Sequence, residues 1–198
     1  MAITGTEQTQ AATTQRWTLD RSRTTVEFEV KHLWGLDRVV GRFDRFDGAC
    51  VFASHGSTIE LTIDAASVET GNAVRDRDLR SARFFDVVEH PQVRFTSSRV
   101  ADNGDGSVRV SGELEAAGTT LPLAFDAVVR ELDDELEIEA TTAVDQRRFG
   151  MTRGPLWSVR PPAKLHVKAR LVPERPDGPQ YFGALLRRLG GRDEARAE

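Results

Sequence analysis

Residues 67–88 read SVETGNAVRDRDLRSARFFDVV, and they interrupt a chain that otherwise alternates like β-strands. Asn72 can cap a helix by accepting a free N–H of the first turn. Arg75, Asp76, Arg77, Asp78, Arg80 and Arg83 set opposite charges within one or two helical turns of each other. Leu79, Phe84 and Phe85 supply an apolar edge, and Pro91 stops any helix. The stretch predicts one short helix near 72–84 with mixed charge on its outer side. Such an insert covers one end of a barrel, acts as a lid over a cavity, or does both.

On either side the chain alternates. Val26, Phe28 and Val30 share one face of a strand, with Glu27, Glu29 and Lys31 on the other. His32 then falls on the apolar face at the inner end of that row. There it lines a cavity mouth, or it is a core histidine satisfied by a backbone carbonyl. Val39 to Ala53 is a long second strand whose parity changes across Asp44-Arg45, the signature of a bulge. Phe43 ends one inward row and Phe46 begins the next. Ile59, Leu61 and Ile63 form a third strand.

Beyond the insert, Phe95 faces inward beside Val93, and Asp102–Gly106 is a hairpin turn. That turn lacks the later glutamate and the flanking helices of a calcium loop. Two strands follow, joined by Ala117-Gly118. The second carries Leu121, Leu123 and Phe125 inward, and its Pro122 marks an edge or a strand beginning. Asp133-Asp134 turns into a strand with Leu136, Ile138 and Ala140. The loop from Gln146 to Trp157 mixes arginines with Phe149 and Trp157, and a last strand with Leu165, Val167, Ala169 and Leu171 closes the domain. About eight strands with short turns predict an all-β, closed or nearly closed antiparallel barrel. Glycines and alanines among the inward Phe, Val, Leu and Ile are expected to leave room inside.

The chain has 198 residues, enough for one domain with a core. Its net charge is -4, with both signs mixed along the sequence, and this argues against a nucleic-acid partner. The first fifteen residues lack the basic and apolar regions of a secretory leader, and no segment approaches the ~20 apolar residues of a membrane span. The expectation is a cytoplasmic protein with a disordered tail at 1–15, a barrel at 16–173 and a C-terminal tail at 174–198. Within that last tail, Tyr181 to Leu189 predicts a short amphipathic helix, suited to packing on the barrel or a second subunit and short for a membrane contact. Cys50 is the single cysteine, so neither an intramolecular disulfide nor a cysteine-based metal site can form. The four histidines show no metal-binding spacing, and no nucleophile elbow or phosphate loop is present. The sequence therefore predicts no catalysis, no metal and no cofactor.

The same insert resembles the YceI-like family: Thr70-Gly71-Asn72, Arg75-Asp76, Leu79, Ser81, Phe84-Phe85-Asp86-Val87, Pro91 and Phe95-Thr96-Ser97 follow its pattern. Trp17-Thr18-Leu19-Asp20, Phe28-Glu29-Val30-Lys31-His32, Gly41-Arg42-Phe43, Phe46-Asp47-Gly48 and Phe149-Gly150 match further along, in order, over about Arg16 to Pro173. Asp78 stands where that family usually has histidine, and Gln146 where arginine usually precedes the Phe-Gly by three. The resemblance implies an extended lipocalin-like barrel holding a long isoprenoid or similar amphiphile, and often a homodimer.

On that reading the cavity is walled by Val26, Phe28, Val30, Phe43, Phe46, Ile59, Leu61, Ile63, Phe84, Phe85, Phe95, Phe125, Phe149 and Trp157. The candidates to meet a head group at the mouth are His32, Arg75, Asp78, Gln146 and Arg153. With Asp78 and Gln146 in place, the mouth is less cationic and a diphosphate head is less favoured. The alternatives are a packed barrel serving as an interaction module and, further off, a metal-dependent enzyme.

Overall fold

The computed structural model describes residues 14–32, 37–53, 56–151 and 160–174, without the side chains of His32, Asp37 and Arg160. Eleven strands run β1 Gln15–Leu19, β2 Thr25–His32, β3 Asp37–Phe43, β4 Phe46–Ala53, β5 Gly56–Asp64, β6 Val68–Glu69, β7 Gln92–Asp102, β8 Ser107–Ala116, β9 Thr119–Leu132, β10 Glu135–Val144 and β11 Arg160–Pro173. One helix, α1, spans Ala73–Arg80.

The strands close into a ring of eight. Going round, β11 pairs with β1, then come β4, β5, β7, β8, β9 and β10, which returns to β11. Every pairing is antiparallel. The other three strands extend the wall upward: β2 pairs with β11 above β1, β3 with β2, and β6 with β3. Thus β1/β2, β3/β4 and β5/β6 are each one long strand with a break, and the barrel has the expected eight staves.

The breaks have local causes. Asp20 accepts the N–H of Ser22 at 3.0 Å and starts a 3-10 turn over Arg21–Arg23. Asp64 does the same for Ala66 at 2.9 Å, starting a turn over Ala65–Ser67. Between these two, the Asp44-Arg45 break keeps its backbone bonded across: Asp44 N–H donates to Ser67 O and Asp64 N–H to Arg45 O. Phe43 and Phe46 are both buried on either side of it, as the change of parity requires. The hairpins are equally explicit. Ala117 and Gly118 have φ of 46° and 71°, the two left-handed residues of a tight hairpin turn. Pro122 lies on a stretch of β9 that pairs with β8 alone, so its missing N–H breaks no ladder to β10.

The interior is apolar from floor to mouth. Trp17, Cys50, Leu136 and Leu171 pack at the floor. Val68 and Val110 are fully buried higher up, each contributing about 1.5–3 kcal/mol by leaving water.

Three expectations need correction. The helix is shorter than 72–84: it ends at Arg80, where Ser81 donates both its N–H and its hydroxyl to Asp78 O. Phe84 and Phe85 belong to the turns that follow. Its charges are also not all on the outer side, because Asp76 is buried. The first strand begins at Gln15, inside the stretch read as tail. The predicted C-terminal helix and most of the N-terminal tail lie outside the described residues.

Candidate ligand cavity

The barrel encloses a cavity of about 260 Å³. Its wall takes inward residues from every long strand, including Val26, Phe28 and Val30 of β2, Ile59, Leu61 and Ile63 of β5, Phe95 of β7 and Phe125 of β9. Phe43, Phe84, Phe85 and Phe149 line it too. Phe46 is buried in the same core yet does not reach the cavity. Trp157 and Arg153 lie outside the described residues, as does the side chain of His32.

Room inside comes from alanine and not from glycine. Ala49, Ala116, Ala127, Ala140, Ala163 and Ala169 line the cavity. A Cβ at Gly41 would sit 2.3 Å from the Phe28 ring, and one at Gly112 would sit 2.3 Å from Thr96 O. Those glycines are consumed by a neighbouring ring and by close-packed backbone, which corrects the expectation that they leave space.

One end is covered by α1 and the turns after it. Leu79, Phe84 and Phe85 point down into the cavity. Phe85 meets Phe43 edge-on with centroids 5.6 Å apart, and Phe43 meets Phe28 at 5.8 Å, so the cover packs on β2 and β3 through three rings. Polar bonds hold it from the other side. Asn72 accepts from the N–H groups of Val74 and Arg75 at 3.1 Å and starts the helix. Asp76 accepts from Thr70, Arg75 donates to Thr70 Oγ1 at 2.7 Å, and Arg80 donates to Ala66 O at 2.8 Å and to Val68 O. Asp76 and Arg80 are anchors of the cover that sequence patterning assigned to solvent.

The head-group candidates divide. Gln146 lines the cavity, and its Oε1 accepts the Ala163 N–H at 3.2 Å. A backbone N–H can only bond the amide oxygen, so the Gln146 –NH2 is left as the donor. Arg75 is engaged with Thr70, away from the cavity wall, and Asp78 is likewise not part of that wall. Thr142, four residues before Gln146, is a second uncharged polar group on the wall that sequence reading missed. Cys50 also reaches the cavity, with its thiol pushed up to about 12 by burial, so it is a packing residue and not a nucleophile. Among the described residues no three His, Cys, Asp or Glu are grouped to hold a metal.

A closed antiparallel barrel with an apolar interior and a helical cover defines a lipocalin-like architecture. The chain belongs to the YceI-like domain family, which matches it over residues 17–171. It is 35% identical over 155 residues to a UPF0312 protein of Shewanella denitrificans, covering 76% of this chain and 80% of that one. A UPF0312 protein of Pectobacterium carotovorum is 40% identical over 105 residues, and there the match spans only 54% of the relative and 52% of this chain. Two solved structures share the fold. Burkholderia cenocepacia BcnA superposes with a TM-score of 0.71 at 19% identity, covering 77% of this chain and 98% of BcnA. A polyisoprenoid binding domain from Saccharophagus degradans, implicated in plant cell wall breakdown, superposes at 0.65 with 17% identity, covering 79% and 98%.

Proposed function

We propose that this protein binds one long-chain amphiphile, a polyisoprenoid or similar lipid, in the barrel, and sequesters or carries it. The observation that carries this reading is the cavity itself. An unfilled cavity of 260 Å³ costs on the order of 6 kcal/mol relative to a packed core. That is comparable to the whole stability of a typical domain, roughly 5–15 kcal/mol. A barrel with no use for the space would gain by filling it, and six wall alanines could each be larger.

Hydrocarbon suits the space. Each methylene taken from water gains about 0.8 kcal/mol, so a chain needs no directed polar contact to bind. A cavity of roughly 150 Å³ already holds benzene, and this larger one takes a longer chain. Gln146 and Thr142 offer hydrogen bonds to an uncharged head group. No arginine or lysine side chain lines the cavity among the described residues, which supports a neutral head over a diphosphate. The Saccharophagus domain, named for binding a polyisoprenoid, supports the ligand class.

Native mass spectrometry of the purified protein, followed by organic extraction, tests the reading. A bound lipid of defined chain length is expected. An empty protein that also refuses prenyl alcohols and fatty amides would overturn it.

A further inference from the structure

β9 and β10 are paired only at their lower ends, from Ala127↔Ala140 down to Leu132↔Glu135. Above that level β9 continues as Thr119–Asp126, bonded to β8 alone, and β10 continues as Thr141–Val144, bonded to β11 alone. No backbone hydrogen bond joins the two among the described residues. The wall of the ring therefore has a lateral seam.

A second interruption of the ring shows what a sealed seam looks like. β5 and β7 also part company, below Glu60↔Thr96, and there the Ser97 hydroxyl accepts the Ile59 N–H at 2.7 Å and stitches the gap. Between β9 and β10 no side chain does this among the described residues. Below the seam the same two strands are clamped by charge: Arg130 bridges Glu137 and Glu139, and Lys168 and Arg170 of β11 hold the same carboxylates. The clamp ends where the ladder ends.

The chemistry of the rim changes at the same level. Facing outward on β9 are Thr120, Pro122 and Ala124, and on β10 Thr141 and Ala143, all exposed, small and uncharged, while Asp126 marks the foot of the seam on the same face, paired with Arg109 of β8 at 2.9 Å. Pro122 has no N–H to offer, so another strand cannot complete a ladder along that edge. Facing inward across the same gap are Leu123 and Phe125 on β9 and Thr142 and Val144 on β10, all on the cavity wall. Above Asp126, a passage through the seam thus runs from an uncharged rim directly to an apolar wall, and no ion pair spans the gap among the described residues.

We propose that the β9–β10 seam is a lateral portal by which a hydrocarbon chain enters and leaves the barrel while the α1 cover stays docked. This rests on the carrier reading above. It gives the cover a static role and assigns exchange to the side wall. It also fixes the ligand class further: the portal passes slim, uncharged chain and excludes a charged group.

The test uses the full chain with Ala124→Cys and Ala143→Cys, joined by a bismaleimide with a reducible spacer. Cys50 lines the cavity that an uncharged reagent would reach, so the pair is placed in a Cys50→Ala background whose probe uptake is measured beside wild type. Diphenylhexatriene, an uncharged rod that fluoresces in apolar surroundings, is the probe. Cross-linking is expected to slow both uptake and release by roughly tenfold or more, leave the amount bound at equilibrium unchanged, and be reversed by reduction. Wild-type rates in the cross-linked protein would overturn the portal, and so would failure of the reagent to join two positions said to flank one gap. Hydrogen exchange on the unmodified protein gives a second reading. Amides of 119–126 and 141–144 are expected to exchange faster than those of 127–132 and 135–140, and equal protection would mean the seam is closed. If the wild-type protein takes up no probe at all, the carrier reading falls and the portal with it.

Discussion

Asp76 accepts hydrogen bonds from the Thr70 N–H at 2.9 Å and from the Thr70 hydroxyl at 2.6 Å, with a residue exposure of only 6%. The bond spans from just after β6 to the first turn of α1 and fixes the angle at which the cover meets the barrel. Asp76→Ala leaves two Thr70 donors unpaired near the core. The expected loss is about 1–3 kcal/mol of stability. Asp76→Asn keeps one acceptor oxygen and is expected to lose less. Thermal unfolding of the two variants checks the order, and equal stability of Asp76→Ala and wild type would show the anchor contributes nothing.

Ala140 sits on the cavity wall, with space in front of its methyl group. Ala140→Phe is expected to fill part of that space without disturbing the ladder, changing stability by no more than about 1.5 kcal/mol while abolishing uptake of a prenyl alcohol. Titration of the variant with geranylgeraniol, beside circular dichroism, reads both. Undiminished binding in a folded Ala140→Phe protein would place the ligand elsewhere.

Gly41 faces the Phe28 ring, and a methyl group there would lie 2.3 Å from its Cζ. Gly41→Ala is expected to push that ring into the cavity, costing about 1–3 kcal/mol of stability and weakening ligand binding together. Gly104→Ala is the control: its φ is +80° but nothing lies within 4 Å. It is expected to cost about 1–2 kcal/mol through the backbone and leave binding untouched.

Acid sensitivity follows from half-buried, ion-paired carboxylates on the outer wall. Asp20 is held down to about 2 by the Ser22 hydroxyl and Arg23. Glu135 is held below its usual range by Arg23, and Glu139 by Lys168 and Arg130. A carboxylate whose folded pKa is depressed stabilises the fold above its unfolded value and loses that contribution as pH falls through the folded one. The melting temperature is therefore expected to be flat from about pH 8 to 5 and to fall below about pH 4. Added salt should shrink the fall, since these pairs face water. A melting temperature constant down to pH 2 would show that these pairs contribute no stability.

Much of this was readable from residue order. Alternation placed Val26, Phe28 and Val30 inward because a strand has period two, and the structure keeps them on the cavity wall. The parity change at Asp44-Arg45 marked a real break because each half must still bury its phenylalanine. What stayed hidden depends on distances through space. Asp76 and Arg80 looked like solvated charges because helical spacing says nothing about the backbone groups of Thr70, Ala66 and Val68 nearby. Gly41 and Gly112 looked like spare room because sequence does not show which neighbour fills a missing side chain. The parting of β9 from β10 leaves no mark except Pro122, whose edge placement was legible though its consequence was not.

The strand breaks at 20–24, 44–45 and 65–67 fall on three adjacent staves, bonded to one another across the gap. They divide the barrel into a hoop of eight strands below and a collar of β2, β3 and β6 above, with β11 running through both. A collar with its own ladders can fray without unzipping the hoop, and the two are expected to open as separate cooperative units. Limited proteolysis under mild heating should then cut first between 25 and 43 and leave a resistant fragment that keeps β4, β5 and β7 through β11. Loss of the mouth need not mean loss of the fold.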